Sequence, residues 1–272
     1  MLYLRSLRFS VLFFSTLIHL SAQLTQTQMK DPWDDPQYRH PTAVRGLLDD
    51  PRVRDFVINQ SMLVPTDQPV NRPISGTVSI SRLKHQVPAK ARNELARSER
   101  QFRRGHLQSS VEHLKKAIAI DPDYMEAHNN LGARYIALGD NERAVDHLQT
   151  ALRLDPSSAL AQLNVGLALY SLKRVDQAEQ YARNAIRLTP AFPKAHYLLG
   201  LILGAEGKNT AEAVEHFQKS ALEFPKAHLL AGRSLLACGA VGPAASEFRQ
   251  YLAWPQAENR EQIEQWLAAH ER

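Results

Sequence analysis

Cysteine is almost absent from this sequence, and long apolar runs are absent too. Cys238 is the single cysteine among 272 residues, so the chain cannot form an internal disulfide. None lies near the N-terminus, which excludes a lipoprotein anchor. The apolar run at residues 11–20 is too short for a comfortable membrane span. The 44% hydrophobic and 22% charged residues are typical of a soluble chain, and the net charge of +5 permits an anionic partner without requiring one.

Patterns typical of catalysis are missing as well. No Ser/His/Asp set, metalloprotease motif or paired carboxylates stand out, and Cys238 has no neighbour that would activate its thiol. The sequence therefore predicts no enzyme, no catalytic residue, no cofactor and no metal site. An active site within residues 23–88 is disfavoured, because a proline-rich segment of about 65 residues buries little surface.

The N-terminal 22 residues predict a signal peptide. Arg5 and Arg8 precede the apolar run, and Ser21 and Ala22 are small residues suited to cleavage before Gln23. We expect an exported protein, periplasmic or secreted. An uncleaved membrane anchor and a false signal remain as alternatives, since Leu20 fits poorly at the third position before the cut.

Residues 23–88 form a proline-rich irregular segment. Proline removes a backbone donor and restricts the residue before it, so long helices are excluded here. Short helices at residues 42–49 and 54–60 and a lone strand at 74–80 are compatible with the pattern. A flexible linker is the simplest interpretation.

Small residues recur at a fixed interval in the remainder of the chain. Gly132, Gly166 and Gly200 are 34 residues apart, and two further series keep the same interval. These are Ala117, Ala151, Ala185 and Pro122, Pro156, Pro190. Agreement among three series indicates a structural repeat.

Residues 125–156 carry the clearest copy of the repeat. Leu131, Gly132 and Tyr135 are followed by a second half with Ala144 and Pro156. In these spacings the chain resembles the tetratricopeptide repeat (TPR) family, whose 34-residue unit is a helix-turn-helix. The resemblance implies an all-α fold, a right-handed superhelix (α-solenoid) in which each unit covers the apolar face of its neighbour.

The repeat predicts the domain organisation. Residues 89–272 form the array, with repeats at about 89–124, 125–158, 159–192, 193–225 and 226–255 and an amphipathic capping helix at 257–270. The first unit is degenerate, as expected of an end repeat, because Arg97-Ser98 replace Leu131-Gly132. Lys173 replaces the turn residue Gly139 in the third unit.

Six of the eleven histidines recur within the repeats. His128, His196 and His228 share one position in the first helices, about a repeat apart, so we do not expect them to converge on one metal ion. His113, His147 and His216 lie on second helices and are predicted to face outward.

The first repeat is the most basic part of the chain. Arg97, Arg100 and Arg104 share one helical face and are candidates for contact with a membrane surface or an anionic polymer. A solvated outer face is the simpler interpretation. Nucleic acid is the least favoured ligand, because no aromatic residues lie between the arginines to stack on bases.

The family resemblance implies a protein partner held in a concave groove lined by the first helices. Mapped by repeat position, the predicted peptide-binding groove consists of Asn129, Asn130, Ile136, Leu163, Asn164, Leu167, Tyr170, Lys194, Tyr197 and Leu201. Asn164 and Lys194 match two positions of the carboxylate clamp found in part of the family, but Ala133 and Leu198 stand where that clamp has polar or basic groups. The expected function is a non-enzymatic scaffold or adaptor. The alternative is a cell-envelope assembly factor acting through the basic face.

Overall fold

The structure, a computed structural model, describes residues 85–207 and 210–270, and most of these residues are helical. The predicted signal peptide and nearly all of the proline-rich segment lie outside these residues. In chain order the eleven helices found there are α1 (Ala89–Arg103), α2 (Leu107–Ile120), α3 (Met125–Ala137), α4 (Asn141–Leu154), α5 (Ala159–Ser171), α6 (Val175–Leu188), α7 (Pro193–Glu206), α8 (Thr210–Ser220), α9 (Lys226–Ala237), α10 (Val241–Leu252) and α11 (Arg260–His270). None of these helices is long and apolar enough to cross a membrane.

Helices α1 to α10 form five hairpins that pack in chain order. Each odd-numbered helix packs on the even-numbered helix that follows it, and each even-numbered helix packs on the first helix of the next hairpin. The first helices α3, α5 and α7 also contact one another in sequence. Five helix-turn-helix units stacked on their neighbours are the architecture that the repeat predicts, and the predicted fold class is confirmed.

Close helix packing explains the glycine in the first helix of the repeat. A Cβ at Gly132 would lie 2.4 Å from Leu148 Cγ and 3.1 Å from the carbonyl oxygen of Ala144, both on α4. Ala144, Leu148 and Ala151 are fully buried in this contact. The missing side chain therefore sets the distance between the two helices of the hairpin, and Leu148 fills the space beside it.

The turns inside four of the hairpins depend on glycine in the left-handed region. Gly105, Gly139, Gly207 and Gly239 have φ between 65° and 79°. In the third hairpin Lys173 occupies the same place with φ of 61°, a conformation that costs a residue with a Cβ about 1–2 kcal/mol. The helix after Gly139 begins with a side-chain cap, because Asp140 accepts a hydrogen bond from the backbone N–H of Arg143 at the beginning of α4.

The C-terminal helix α11 follows Asn259, which has φ of 56°. Its residues Ile263, Trp266 and Leu267 are buried, and these are the residues that form its apolar side in the sequence.

Candidate partner-binding surface

The predicted groove residues lie on the first helices of the second, third and fourth hairpins, and the structure buries almost all of them. Nine of the ten are buried, with Lys194 the most exposed of the nine at 9%, and Tyr170 is partly exposed. Ten consecutive residues of α3, from Ala127 to Ile136, are buried, so every face of that helix is covered. The side chains of the predicted groove are therefore packed against neighbouring residues in this structure.

The apolar members of the predicted groove belong to the hydrophobic core. Ile136, Leu163, Leu167, Tyr197 and Leu201 all lie in one core cluster, and Tyr170 packs against it. The ring of Tyr197 lies 5.0 Å from that of Phe224 and 6.2 Å from that of Phe217. These side chains therefore pack between helices, and their role in a peptide-binding groove stays a prediction.

The polar members form a chain of buried side-chain hydrogen bonds across two hairpins. Asn164 Nδ2 donates to Asn129 Oδ1 at 3.0 Å, and Asn129 Nδ2 donates to Asn130 Oδ1 at 3.2 Å. Asn130 Nδ2 in turn donates to Glu99 Oε1, 3.0 Å away on α1. Asn130 therefore donates to the Glu99 carboxylate directly, and the other two amides donate along the chain that leads to it. The three amide dipoles are aligned with that negative charge.

The carboxylate at the end of this amide chain is held by a buried arginine. Arg134 Nη2 donates to Glu99 Oε1 at 2.9 Å, and both residues are less than 5% exposed. Arg134 Nε donates to Ser110 Oγ, and its guanidinium lies 3.6 Å from the centre of the Phe102 ring. Burial lowers the pKa of Arg134, and the nearby Glu99 carboxylate opposes that effect. The degenerate first repeat is thus joined to the second by an ion pair.

Asn164 marks the other end of the amide chain. Its Oδ1 is buried and has no hydrogen-bond donor, although the residue is only 2% exposed. A buried acceptor without a donor costs about 1–3 kcal/mol. An added N–H or O–H group that reaches this atom would remove that cost.

Lys194 is the basic residue of the predicted groove. Its Nζ lies 3.8 Å from Glu223 Oε1, and burial lowers its pKa while Glu223 opposes that effect.

Paired histidines within two hairpins are a feature that the sequence analysis missed. His128 Nδ1 lies 3.2 Å from His147 Nδ1 in the second hairpin, and His196 Nδ1 lies 2.9 Å from His216 Nδ1 in the fourth. The prediction that His147 and His216 face outward is therefore wrong, because each turns toward the first helix of its own hairpin. The signal was present in the sequence: the partners are 19 and 20 residues apart.

The end hairpins pair histidine with glutamate in the same way. His113 Nδ1 lies 2.7 Å from Glu94 Oε2, and His228 Nδ1 lies 2.7 Å from Glu247 Oε2. Within the described residues no three His, Cys, Asp or Glu side chains are placed to hold a metal ion.

The three arginines of the predicted basic face are exposed on and just after α1. Arg97 Nη1 donates to Glu94 Oε1 at 2.6 Å, which offsets part of the positive charge. Binding of a membrane or an anionic polymer by this face stays a prediction.

Family models match the middle of the chain. A model described as tetratricopeptide repeat matches residues 134–193 and 174–222, and a model described as TPR repeat matches residues 100–139. The helices of the second to fourth hairpins lie within these residues, together with most of the first. No curated protein matches the sequence.

Solved structures of similar fold include MamA (residues 41 to the end) from Desulfovibrio magneticus RS-1. It is 24% identical to this chain with a TM-score of 0.56, and the match covers 64% of this chain and 99% of the MamA chain. TTC0263, a thermophilic TPR protein of Thermus thermophilus, is 18% identical with a TM-score of 0.51, covering 66% and 98%. YrrB, described as a TPR protein with an unusual peptide-binding site, is 19% identical with a TM-score of 0.52, covering 65% and 91%. At these identities the likeness establishes the fold.

Proposed function

We propose that this chain, a protein built on tetratricopeptide repeats, is a non-enzymatic scaffold that binds an extended peptide segment of another protein along the first helices of its hairpins. The fold itself supports protein–protein interaction. The finer assignment, to the face of α3, α5 and α7, is the proposal.

The unpaired Oδ1 of Asn164 is the observation that carries this assignment. A backbone N–H of a bound peptide would supply the donor that this oxygen lacks, and Asn129 already holds the Nδ2 group in place. Because the amide chain ends on the Glu99 carboxylate, the Asn164 side chain is oriented before any partner arrives. YrrB, which shares the fold, is described as having a peptide-binding site, and this adds support.

Burial places a condition on binding. Asn164 is only 2% exposed, so a peptide reaches its Oδ1 only after the surface around α5 has opened. Association that needs such a change is slower than the typical range of about 10⁵–10⁷ M⁻¹s⁻¹. Binding should therefore show a rate that levels off at high peptide concentration.

The test uses the full-length chain and peptides of about twelve residues selected on it from a random library, long enough to extend along two first helices. In the best peptide, each backbone N–H is replaced in turn by N-methyl. The N-methyl group at the one position that donates to Asn164 Oδ1 should weaken binding to the wild type about tenfold, because one buried hydrogen bond is lost. The variant Asn164→Leu should bind the unmodified peptide with that same weakened affinity, and the critical N-methyl group should cost it nothing more.

A matched control is Asn93→Leu, which changes an exposed asparagine on α1. Circular dichroism confirms that both variants fold. If Asn164→Leu binds as tightly as the wild type, or if the N-methyl series gives the same profile on both proteins, Asn164 is not the acceptor.

We also propose that the protein is exported, on the pattern of residues 1–22. Expression in a bacterial host followed by fractionation and mass spectrometry should yield a processed chain beginning at Gln23 outside the cytoplasm. A full-length chain in the cytoplasmic fraction would contradict the proposal.

A further inference from the structure

A titratable or polar pair occupies one position of every hairpin. The partners stand on the first and second helix, 19 residues apart in four hairpins and 20 in the fourth. The end hairpins carry Glu94–His113 and His228–Glu247, and the second and fourth carry His128–His147 and His196–His216. The third hairpin has Gln162 and Tyr181 at these positions, so it carries no histidine there.

The two histidine pairs share one hydrogen-bond arrangement. His128 Nε2 lies 3.0 Å from the carbonyl oxygen of Pro122, and His196 Nε2 lies 2.8 Å from that of Pro190. A carbonyl oxygen only accepts, so each Nε2 carries the proton and each facing Nδ1 is an acceptor when the ring is neutral. The second-helix histidine then donates its Nδ1–H, and the neutral pair is satisfied.

Adding a proton disturbs this arrangement whichever nitrogen receives it. Protonation at the acceptor Nδ1 sets two N–H donors against each other at 2.9–3.2 Å. Protonation at Nε2 of the second-helix ring instead charges a largely buried imidazole, and burial disfavours the charged form. At His216 the Glu212 carboxylate, 3.6 Å from Nε2, offsets part of that cost. Both outcomes favour the unfolded hairpin, in which the rings are hydrated.

We propose that the histidine pairs of the second and fourth hairpins make the repeat array sensitive to acid, so that the hairpins carrying them loosen first as the pH falls below about 6.5. The proposal goes beyond the binding function, and its test involves no partner.

The charges around the second-hairpin pair strengthen the effect. Lys115 on α2 and Arg143 on α4 disfavour a charged His147, whereas Asp146 favours it. For His128 the opposing charges are Arg153, which disfavours the charged ring, and Asp123, which favours it. Burial is the largest influence and lowers the pKa of both rings. Three basic groups therefore face this pair against two acidic ones.

The fourth-hairpin pair is less sensitive. Glu212 Oε1 lies 3.6 Å from His216 Nε2 and, with Glu215, favours the charged ring, while Lys219 and His196 disfavour it. Glu212 is itself bound by Arg183 of α6 at 2.6 Å, which takes up part of its charge. Burial still lowers the pKa of His216. The array should therefore open first at α3 and α4.

The sign follows from linkage between protonation and folding. A histidine whose pKa is lower in the folded state binds fewer protons there than when unfolded, so stability is present above the unfolded pKa of about 6.5 and is lost as the pH falls from that value toward the folded pKa. Unfolding of the wild type should therefore take up protons between about pH 6.5 and pH 5.

The experiment measures urea unfolding of the full-length chain by circular dichroism across this pH range, together with hydrogen exchange of the folded protein. The midpoint should fall on acidification, and exchange should accelerate in α3 and α4 before α5 and α6. In His147→Gln the amide can donate to neutral His128 or accept from its protonated form. Proton uptake on unfolding should then fall by about one, with a smaller decrease for His216→Gln.

His113→Gln is the matched control, since it removes a histidine from the same repeat position but from a pair with glutamate. It should leave the acid sensitivity of α3 and α4 unchanged. If His147→Gln loses stability on acidification as steeply as the wild type, or if exchange accelerates equally in the third hairpin, the histidine pairs do not control the response.

Discussion

Replacing Gly132 by alanine should destabilise the array even though alanine is the better helix former. The added Cβ would lie 2.4 Å from Leu148 Cγ and 2.8 Å from Leu148 Cδ2, and the same atom would meet the Ala144 carbonyl oxygen at 3.1 Å. Leu148 is fully buried and its Cγ is a branch point, so it cannot turn away without moving the rest of the side chain. Overpacking of this kind costs about 1–3 kcal/mol.

The gain in helix propensity offsets part of that cost. Alanine is favoured over glycine inside a helix by about 1 kcal/mol, so the net loss should be up to about 2 kcal/mol. Urea unfolding followed by far-ultraviolet circular dichroism measures it as a lower midpoint. Gly166→Ala is the matched control: its Cβ would meet a terminal methyl of Leu198 at 3.1 Å, the Ala178 carbonyl oxygen at 3.3 Å and the Tyr181 Cβ at 3.5 Å, so it should be close to neutral.

A double-mutant cycle assigns the effect to Leu148. Leu148→Ala alone should cost about 2–5 kcal/mol, because it leaves a cavity in the core. In that background Gly132→Ala should become neutral or stabilising, since the two Leu148 atoms closest to the added Cβ are gone and only the Ala144 carbonyl oxygen at 3.1 Å remains. An equal cost in both backgrounds, or a loss in Gly166→Ala as large as in Gly132→Ala, would refute the packing argument.

Two further predictions concern the backbone and the buried charges. Lys173→Gly should raise the melting temperature, because glycine relieves a positive φ that costs about 1–2 kcal/mol, and an unchanged or lower value would show that the turn is not strained. Glu99→Ala should cost about 3–5 kcal/mol by leaving Arg134 buried without its carboxylate. Adding Arg134→Met should recover most of that loss in the same unfolding assay, and failure to do so would mean that the ion pair is not its cause.

The hairpin packing was predictable from the sequence because it depends on missing side chains. A glycine at a fixed interval shows where two helices approach, and Gly132 does meet α4 where the repeat places the contact. The turn at Lys173 was visible as a departure from the pattern, although its left-handed backbone was not.

Burial around the first helices was not predictable in the same way. The interval assigns Leu163 and Tyr197 to a helix and a repeat position, but it does not show how completely neighbouring elements cover them. The histidine pairs were missed for a related reason. Histidines on first and second helices were considered as two separate sets, whereas pairing depends on contact across a hairpin, as between His128 and His147.

The ion pair between Glu99 and Arg134 has a consequence for shortening the protein. In most repeat arrays, deleting an end unit exposes the apolar face of the next unit, and the remaining units keep their structure. Here the cut would also strip the Arg134 guanidinium of its counterion on α1. Deleting the first unit should therefore destabilise the second one, and truncation from the opposite end should be tolerated better.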